Sequence, residues 1–202
     1  VALGVYYAVD NGAKVINMSF GKQFSPHSDW VRDAIAYASK NDVLIVAAAG
    51  NEAQNTDKIN YFPNDQINNG DEVSNTFLKV GSNGPKYGST LVAGYSNYGK
   101  NTVDIFAPGS QIYSTYPKNS YEFASGTSMA APLVAGIAAL IFSQYPGLSA
   151  TQVKQILMTS GVAINKKVVL ENGRIEPFSE LSKTGKLVNA YNALLMASKL
   201  SK

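Results

Sequence analysis

The chain has 202 residues, with 17 Lys+Arg against 14 Asp+Glu and a formal net charge of +3. At 45% hydrophobic and only 15% charged residues, its composition is that of a chain with a core and not of a disordered one. Basic residues are dispersed, which excludes a nucleic-acid footprint, while zero cysteines and one histidine exclude disulfides, thiol catalysis and Cys- or His-rich metal sites.

Residues 1–10 keep apolar side chains at helical spacing, and Asn11-Gly12 ends that helix as a C-cap. Residues 14–19 read as a strand. A second helix starts at Ser25-Pro26 or Ser28-Asp29 and carries Trp30, Val31, Ile35, Tyr37 and Ala38. Residues 42–49 form a nearly continuous apolar run, the pattern of a strand buried on both faces. Two successive β–α units of this kind predict an α/β fold with a parallel sheet flanked by helices. Asn, Asp, Gln and Gly dominate residues 51–75, so this stretch reads as a long loop. Strand-like pieces follow at 77–80, 90–93 and 103–106.

From Gly126 to about Gln144 the pattern is helical. Its longest apolar run, residues 133–142, is about half of what a bilayer crossing needs, so no transmembrane segment is expected. Ser149 with Gln152 three residues on has the form of a capping box for a helix near 151–158. Residues 161–185 read as an extended hairpin or loop, and 187–200 as a closing amphipathic helix. No repeat or composition break divides the chain, so residues 1–202 read as one unit.

The most informative stretch is Ala124-Ser125-Gly126-Thr127-Ser128-Met129-Ala130-Ala131-Pro132. A Gly-Thr-Ser turn here leads directly into a helix rich in small residues. Ser128 therefore stands at a helix N-terminus, where unpaired N–H groups and the dipole favour developing negative charge. A serine held there serves as a nucleophile whose own N–H helps bind an oxyanion; an ordinary cap-region serine is the plain alternative. Pro132, placed within the first turn, removes no helical hydrogen bond. The nucleophile-elbow pattern fails, because position 130 is Ala and no histidine follows Ser128.

The stretch from Gly126 to Pro132 resembles the serine-nucleophile motif of the subtilisin-like serine proteases, the subtilases. Ala48-Ala49-Gly50-Asn51 resembles the same family's oxyanion-hole motif, and Val15 to Gly21 the strand and turn lining its substrate cleft. The runs from Asn97-Tyr98-Gly99 to Ala107-Pro108-Gly109 and from Gly185 to Leu194 are similar to later family segments, all in the family's order. The resemblance implies a three-layer parallel sheet flanked by helices and hydrolysis of peptide bonds through an acyl-enzyme. In that reading Ser128 is the nucleophile and Asn51 the side-chain donor of the oxyanion hole. It further implies that Ser19-Phe20-Gly21 and Ala48-Ala49-Gly50 wall the primary specificity pocket, with Thr127 also on the substrate side. Ala and Gly walls would leave room for a large apolar P1 side chain, P1 being the residue on the acyl side of the cut bond.

Subtilases also use an Asp and a His from upstream motifs, and neither motif is present. Asp10 and His27 copy the family's order but not its contexts. The expectation is therefore a C-terminal portion of a catalytic domain, with the N-terminal strands, the Asp and the His missing. By itself it would be inactive, its partners being that missing portion and a protein or peptide substrate. A pseudoprotease or peptide-binding module that keeps the cleft is the alternative. No cofactor is required. Asp57, Asp65, Asn68, Asn69, Asp71 and Glu72 offer oxygen ligands to a structural calcium, although the spacing misses the EF-hand pattern and a solvated acidic loop serves as well. Tyr61-Phe62-Pro63 resembles an aromatic-Pro step beside the leaving-group side of the cleft, with a packing role as the alternative. Export from a bacterial cell is expected by resemblance alone.

Overall fold

The computed structural model describes residues 1–67 and 70–201. In chain order the first half holds α1 (Ala2–Asp10), β1 (Val15–Met18), α2 (Ser28–Lys40), β2 (Leu44–Ala48), β3 (Gln66–Ile67), β4 (Asp71–Glu72) and β5 (Phe77–Asn83). The second half holds β6 (Ile105–Pro108), β7 (Ile112–Tyr116), β8 (Ser120–Ala124), α3 (Thr127–Gln144), α4 (Ala150–Ser160), β9 (Val162–Ala163), β10 (Lys167–Val169), β11 (Ile175–Pro177), β12 (Lys186–Leu187) and α5 (Ala190–Leu200). Six strands form one sheet in the order β1-β2-β5-β6-β12-β9, parallel throughout except for the last pair.

β2 is the strand on which the layers meet. Its five residues are all buried, because alternate side chains enter two different cores. Ile45 and Ala47 pack under α1 and α2 with Val5, Ile35, Ala38 and Phe77. Leu44, Val46 and Ala48 pack on the other face against α3. This is the three-layer arrangement, with α3, α4 and α5 on one side of the sheet and α1 and α2 on the other.

α3 has the length and apolar composition of a membrane span. In this fold it is the core helix: Ala130, Ala131, Val134, Ala135, Ile137, Ala138 and Ile141 are buried against the sheet and neighbouring helices. Its alanines allow the close approach to β2 and β5. The capping box at α4 forms as the sequence predicts, with Gln152 N–H donating to Ser149 Oγ at 3.2 Å and Ser149 N–H to Gln152 Oε1 at 2.8 Å.

Two expected elements differ. Residues 90–93 form no strand beyond one bridge between Asn83 and Val92. The antiparallel β7–β8 hairpin was not foreseen, because its faces carry aromatic residues in the open rather than an apolar–polar alternation: Tyr113, Tyr121 and Phe123 are 60%, 59% and 70% exposed.

Beside the β5–β6 edge lies a buried charge cluster. Asp104 Oδ2 accepts Lys79 N–H at 2.6 Å, and Asp104 Oδ1 pairs with Lys183 at 3.1 Å. Lys183 also pairs with Glu72. Burial opposes the charge on Lys183, but Asp104 and Glu72 outweigh it and raise its pKa. Burial pushes Lys79 down to about 8, and burial, then Glu72 and Asp104, push Asp65 up to about 7.

Between its ordinary value near 4 and about 7, Asp65 keeps in the folded chain a proton that the unfolded chain has lost. Stability contributed by this group is thus present in acid and is lost as pH rises through 7. We predict that denaturant unfolding of the folded chain shows a decline on the order of 2 kcal/mol between pH 5 and 7 from this group, a proton held only by the folded chain costing about 1.4 kcal/mol for each pH unit crossed. Asp65→Asn, which cannot ionise, flattens that decline; an unchanged slope in the variant refutes the assignment.

Candidate active site

β1 and β2 run parallel with Met18 opposite Ala47, so segments 19–21 and 48–51 leave the carboxyl edge of the sheet side by side. Ligands bind at that edge in open α/β sheets. The N-terminus of α3 is brought to the same place by a set of long-range hydrogen bonds.

The first set is a reciprocal pair. Ser128 Oγ donates to the Ser19 carbonyl at 3.0 Å, and Ser19 Oγ donates to the Ser128 carbonyl at 2.8 Å. The second bond has a cause in the sequence. Pro132 is the sixth residue of α3, beyond the first turn where the sequence reading places it, and it lacks the N–H that would reach back four residues. The carbonyl left without a helical donor is that of Ser128, and the Ser19 hydroxyl fills the gap.

The second set orients Asn51. Its Oδ1 accepts Thr127 N–H at 2.8 Å and Thr127 Oγ1–H at 2.9 Å, while Thr127 Oγ1 accepts Gly50 N–H at 3.1 Å. With Oδ1 turned to the helix, Nδ2 faces outward. Asn51 Nδ2 and Ser128 N–H make no hydrogen bond among the described residues. A Cβ added to Gly126 would stand 3.5 Å from Asn51 Nδ2 and 3.6 Å from Ser128 N. The two donor nitrogens therefore border one small gap, the vacant Cβ position of Gly126, which Met129 Sδ borders as well.

The other expected site residues are sorted by burial. Thr127 is fully buried, and its hydroxyl bonds to Gly50 and Asn51, which holds the Asn51 amide in place. Ala48 and Ala49 are also buried, their methyl groups in the two cores, so they back the wall and do not face the cleft. Ser19, Phe20, Gly21 and Gly50 are at the sheet edge, and Phe20 is 48% exposed.

Tyr61, expected from its aromatic-Pro context beside the leaving-group side of the cleft or in packing, packs between the two cleft segments. Its ring lies against both glycines: an added Cβ would come within 2.3 Å of Tyr61 Cε1 at Gly21 and 2.4 Å of Tyr61 Cζ at Gly50. Gly50 also has φ +104°, so only glycine suits that position on either count. The Tyr61 hydroxyl donates to Glu52 Oε1 at 3.3 Å, and burial, then Glu52, push its pKa up to about 12.

Asp10 and His27 take no part. Asp10 accepts the Tyr37 hydroxyl at 2.7 Å, and exposed His27 stacks on Trp30 with centroids 4.5 Å apart at the head of α2. Among the described loop carboxylates named as oxygen ligands, Asp57 Oδ1 accepts Asn101 N–H and Thr102 Oγ1–H, and Glu72 is paired with Lys183; no three acidic or imidazole groups converge among the described residues. Asn68 and Asn69 lie outside the described residues.

We predict that Ser19→Ala costs about 1 kcal/mol in denaturant unfolding by leaving the half-buried Ser128 carbonyl without a donor. Pro132→Ala restores a helical N–H to that carbonyl, so in the Pro132→Ala background the cost falls below half. Equal costs in the two backgrounds would show that the proline does not create the vacancy.

The subtilase family model matches residues 1–185. Subtilisin DY of Bacillus licheniformis is 34% identical over 188 residues, covering 87% of this chain and 59% of that protein. The cell wall-associated protease of Bacillus subtilis is 40% identical over 157 residues, covering 78% of this chain and 16% of that protein. A solved cold adapted subtilisin-like serine proteinase superposes with a TM-score of 0.71 at 31% identity, covering 94% of this chain and 60% of that one. The chain thus spans less than two thirds of the length of each of these three. With its sheet order, its helix-borne serine and a match across most of its length, the chain belongs to the subtilase family.

Proposed function

We propose that these 202 residues carry the nucleophile and the oxyanion-binding groups of a serine endopeptidase. The observation that carries this reading is the gap bordered by Asn51 Nδ2 and the N–H of Ser128, the residue that carries the hydroxyl. In the reaction, Ser128 Oγ attacks the scissile carbonyl, its proton passes to a base, and the carbonyl oxygen becomes an oxyanion facing the two donors. Return of the proton to the leaving amine gives the acyl-enzyme, which water then opens. Donors fixed before the charge develops stabilise it without reorganisation. The reading assigns no cofactor, takes proteins or peptides as substrate, and puts the protein outside the cytoplasm on its likeness to the cell wall-associated relative.

The base is not among the groups described. The Ser128 hydroxyl donates to a backbone carbonyl, which takes no proton, while His27 and Asp10 are engaged elsewhere. We therefore assign the base and its orienting carboxylate to a segment of the family's domain outside these residues. A serine hydroxyl without a base is a weak nucleophile. For the chain by itself, the cleft without the base supports peptide binding without turnover.

We predict that the 202-residue chain hydrolyses a chromogenic peptide no faster than its Ser128→Ala variant. Adding the family segment that bears the Asp and His restores turnover. In the restored enzyme, Asn51→Ala lowers kcat by about 10²–10³, the range known for this donor in subtilisin itself, with KM little changed. Turnover by the chain alone defeats the external base, and turnover surviving Ser128→Ala in the restored enzyme defeats the nucleophile assignment.

A further inference from the structure

The two glycine-bearing segments at the sheet edge, 19–21 and 48–50, do not enclose an empty slot. We propose, resting on the reading above, that Tyr61 sets the specificity of this cleft: its ring occupies the space between those segments and confines the P1 residue to glycine, alanine or serine. The sequence-level expectation of a large apolar P1 side chain rested on the small walls, and the ring reverses it.

The placement rests on contact with both walls. A Cβ added to Gly21 would fall 2.3 Å from Tyr61 Cε1, and one added to Gly50 would fall 2.4 Å from Tyr61 Cζ, both closer than real Cβ atoms come to a neighbour. One ring therefore spans from one segment to the other. Tyr61 is only 7% exposed, so the ring is packed and not laid over the mouth. Protein interiors are close-packed, and a second ring has no volume to enter where the first one sits. Glycine, alanine and serine need none of that volume.

The ring is also tethered at both ends, so it does not act as a swinging lid. Its hydroxyl donates to Glu52 Oε1 at 3.3 Å, and Glu52 Oε2 in turn accepts Asn97 Nδ2–H at 2.7 Å. The Tyr61 carbonyl accepts from the buried Lys79 ammonium at 3.2 Å and from Asn64 Nδ2 at 3.3 Å. The next residue pairs with the cleft segment itself, Lys22 N–H donating to the Phe62 carbonyl at 2.9 Å and Phe62 N–H to the Lys22 carbonyl at 2.8 Å. Admitting a large P1 side chain would require the packed ring to leave its place and give up its bond to Glu52, while the backbone bonds hold the residue itself where it is.

The test reads binding and needs no turnover. Two N-acetylated tetrapeptides, identical except for alanine or phenylalanine at the C-terminus, are titrated into the isotope-labelled chain and followed by NMR. The expected result is shifts at residues 19–21 and 50–51, with the alanine peptide bound at least tenfold more tightly. Tyr61→Gly moves the ratio at least tenfold toward phenylalanine, and Tyr61→Phe, which keeps the ring, retains the alanine preference. Equal or tighter binding of the phenylalanine peptide by the unaltered chain overturns the role of Tyr61 and leaves the cleft standing, as does an unmoved ratio in a folded Tyr61→Gly. Absence of shifts at the cleft with either peptide overturns the cleft reading and the role of Tyr61 with it. The comparison in the unaltered chain decides the matter whether or not Tyr61→Gly folds.

Discussion

Everything at the sheet edge depends on the clasp between the first turn of α3 and the ends of β1 and β2. Ser19 and Ser128 exchange hydrogen bonds across 109 positions of sequence, and Thr127 donates two to Asn51 across 76. Each bond contributes about 1 kcal/mol net, so as a contribution to stability the clasp is modest. As a constraint on position it is decisive, because catalytic geometry degrades sharply over about 1 Å. The helix supplies a serine hydroxyl and a backbone N–H, the strand end supplies an amide, and neither element alone holds the two in register.

What brings the helix to the strands is packing rather than polarity. β2 is apolar on both faces, and α3 presents alanines to one of them. Small side chains let the helix axis approach the sheet closely, so its N-terminus ends level with Asn51. The same closeness leaves little room for change: glycine is required where backbone or side chains meet, as at Gly109, where an added Cβ would fall 2.4 Å from Ser82 Oγ and 2.6 Å from the Gly126 carbonyl. The nucleophile turn is thus cast between the sheet and the 109–110 loop, with Gly126 N–H donating to the Gly109 carbonyl at 2.8 Å.

Much of this was legible in the sequence, for identifiable reasons. β2 announces itself because a strand buried on both faces leaves a continuous apolar run, and α4 because its cap needs Ser149 and Gln152 at fixed spacing. Ser128 and Asn51, which lie together at the sheet edge, stand out in the sequence because each sits in a motif of a few residues. Three features resisted. The β7–β8 hairpin lacks a buried face and so lacks alternation. Pro132 was placed in the first turn, and its actual register, which frees the Ser128 carbonyl, is set by where Gly126 starts the helix. Tyr61 lies in a polar loop, and nothing near it in sequence reveals that Gly21 and Gly50, 40 and 11 residues away, converge on its ring. Long-range convergence is the part of a site that composition and periodicity do not encode.

The chemistry around Tyr61 bears on what kind of floor it makes. Burial and the Glu52 carboxylate both disfavour the phenolate, so the hydroxyl keeps its proton up to about pH 12 and the ring stays neutral across any working pH. Its carbonyl is turned toward Lys79 and Asn64, and its hydroxyl toward Glu52. At Gly50 the ring is not alone: an added Cβ there would also stand 2.7 Å from Glu52 Oε2 and close to Asn97 Nδ2. That carboxylate already holds the Tyr61 hydroxyl and Asn97, and it opposes any anionic side chain brought beside it. The ring therefore imposes the limit on size, while the sign of charge tolerated there is set by Glu52.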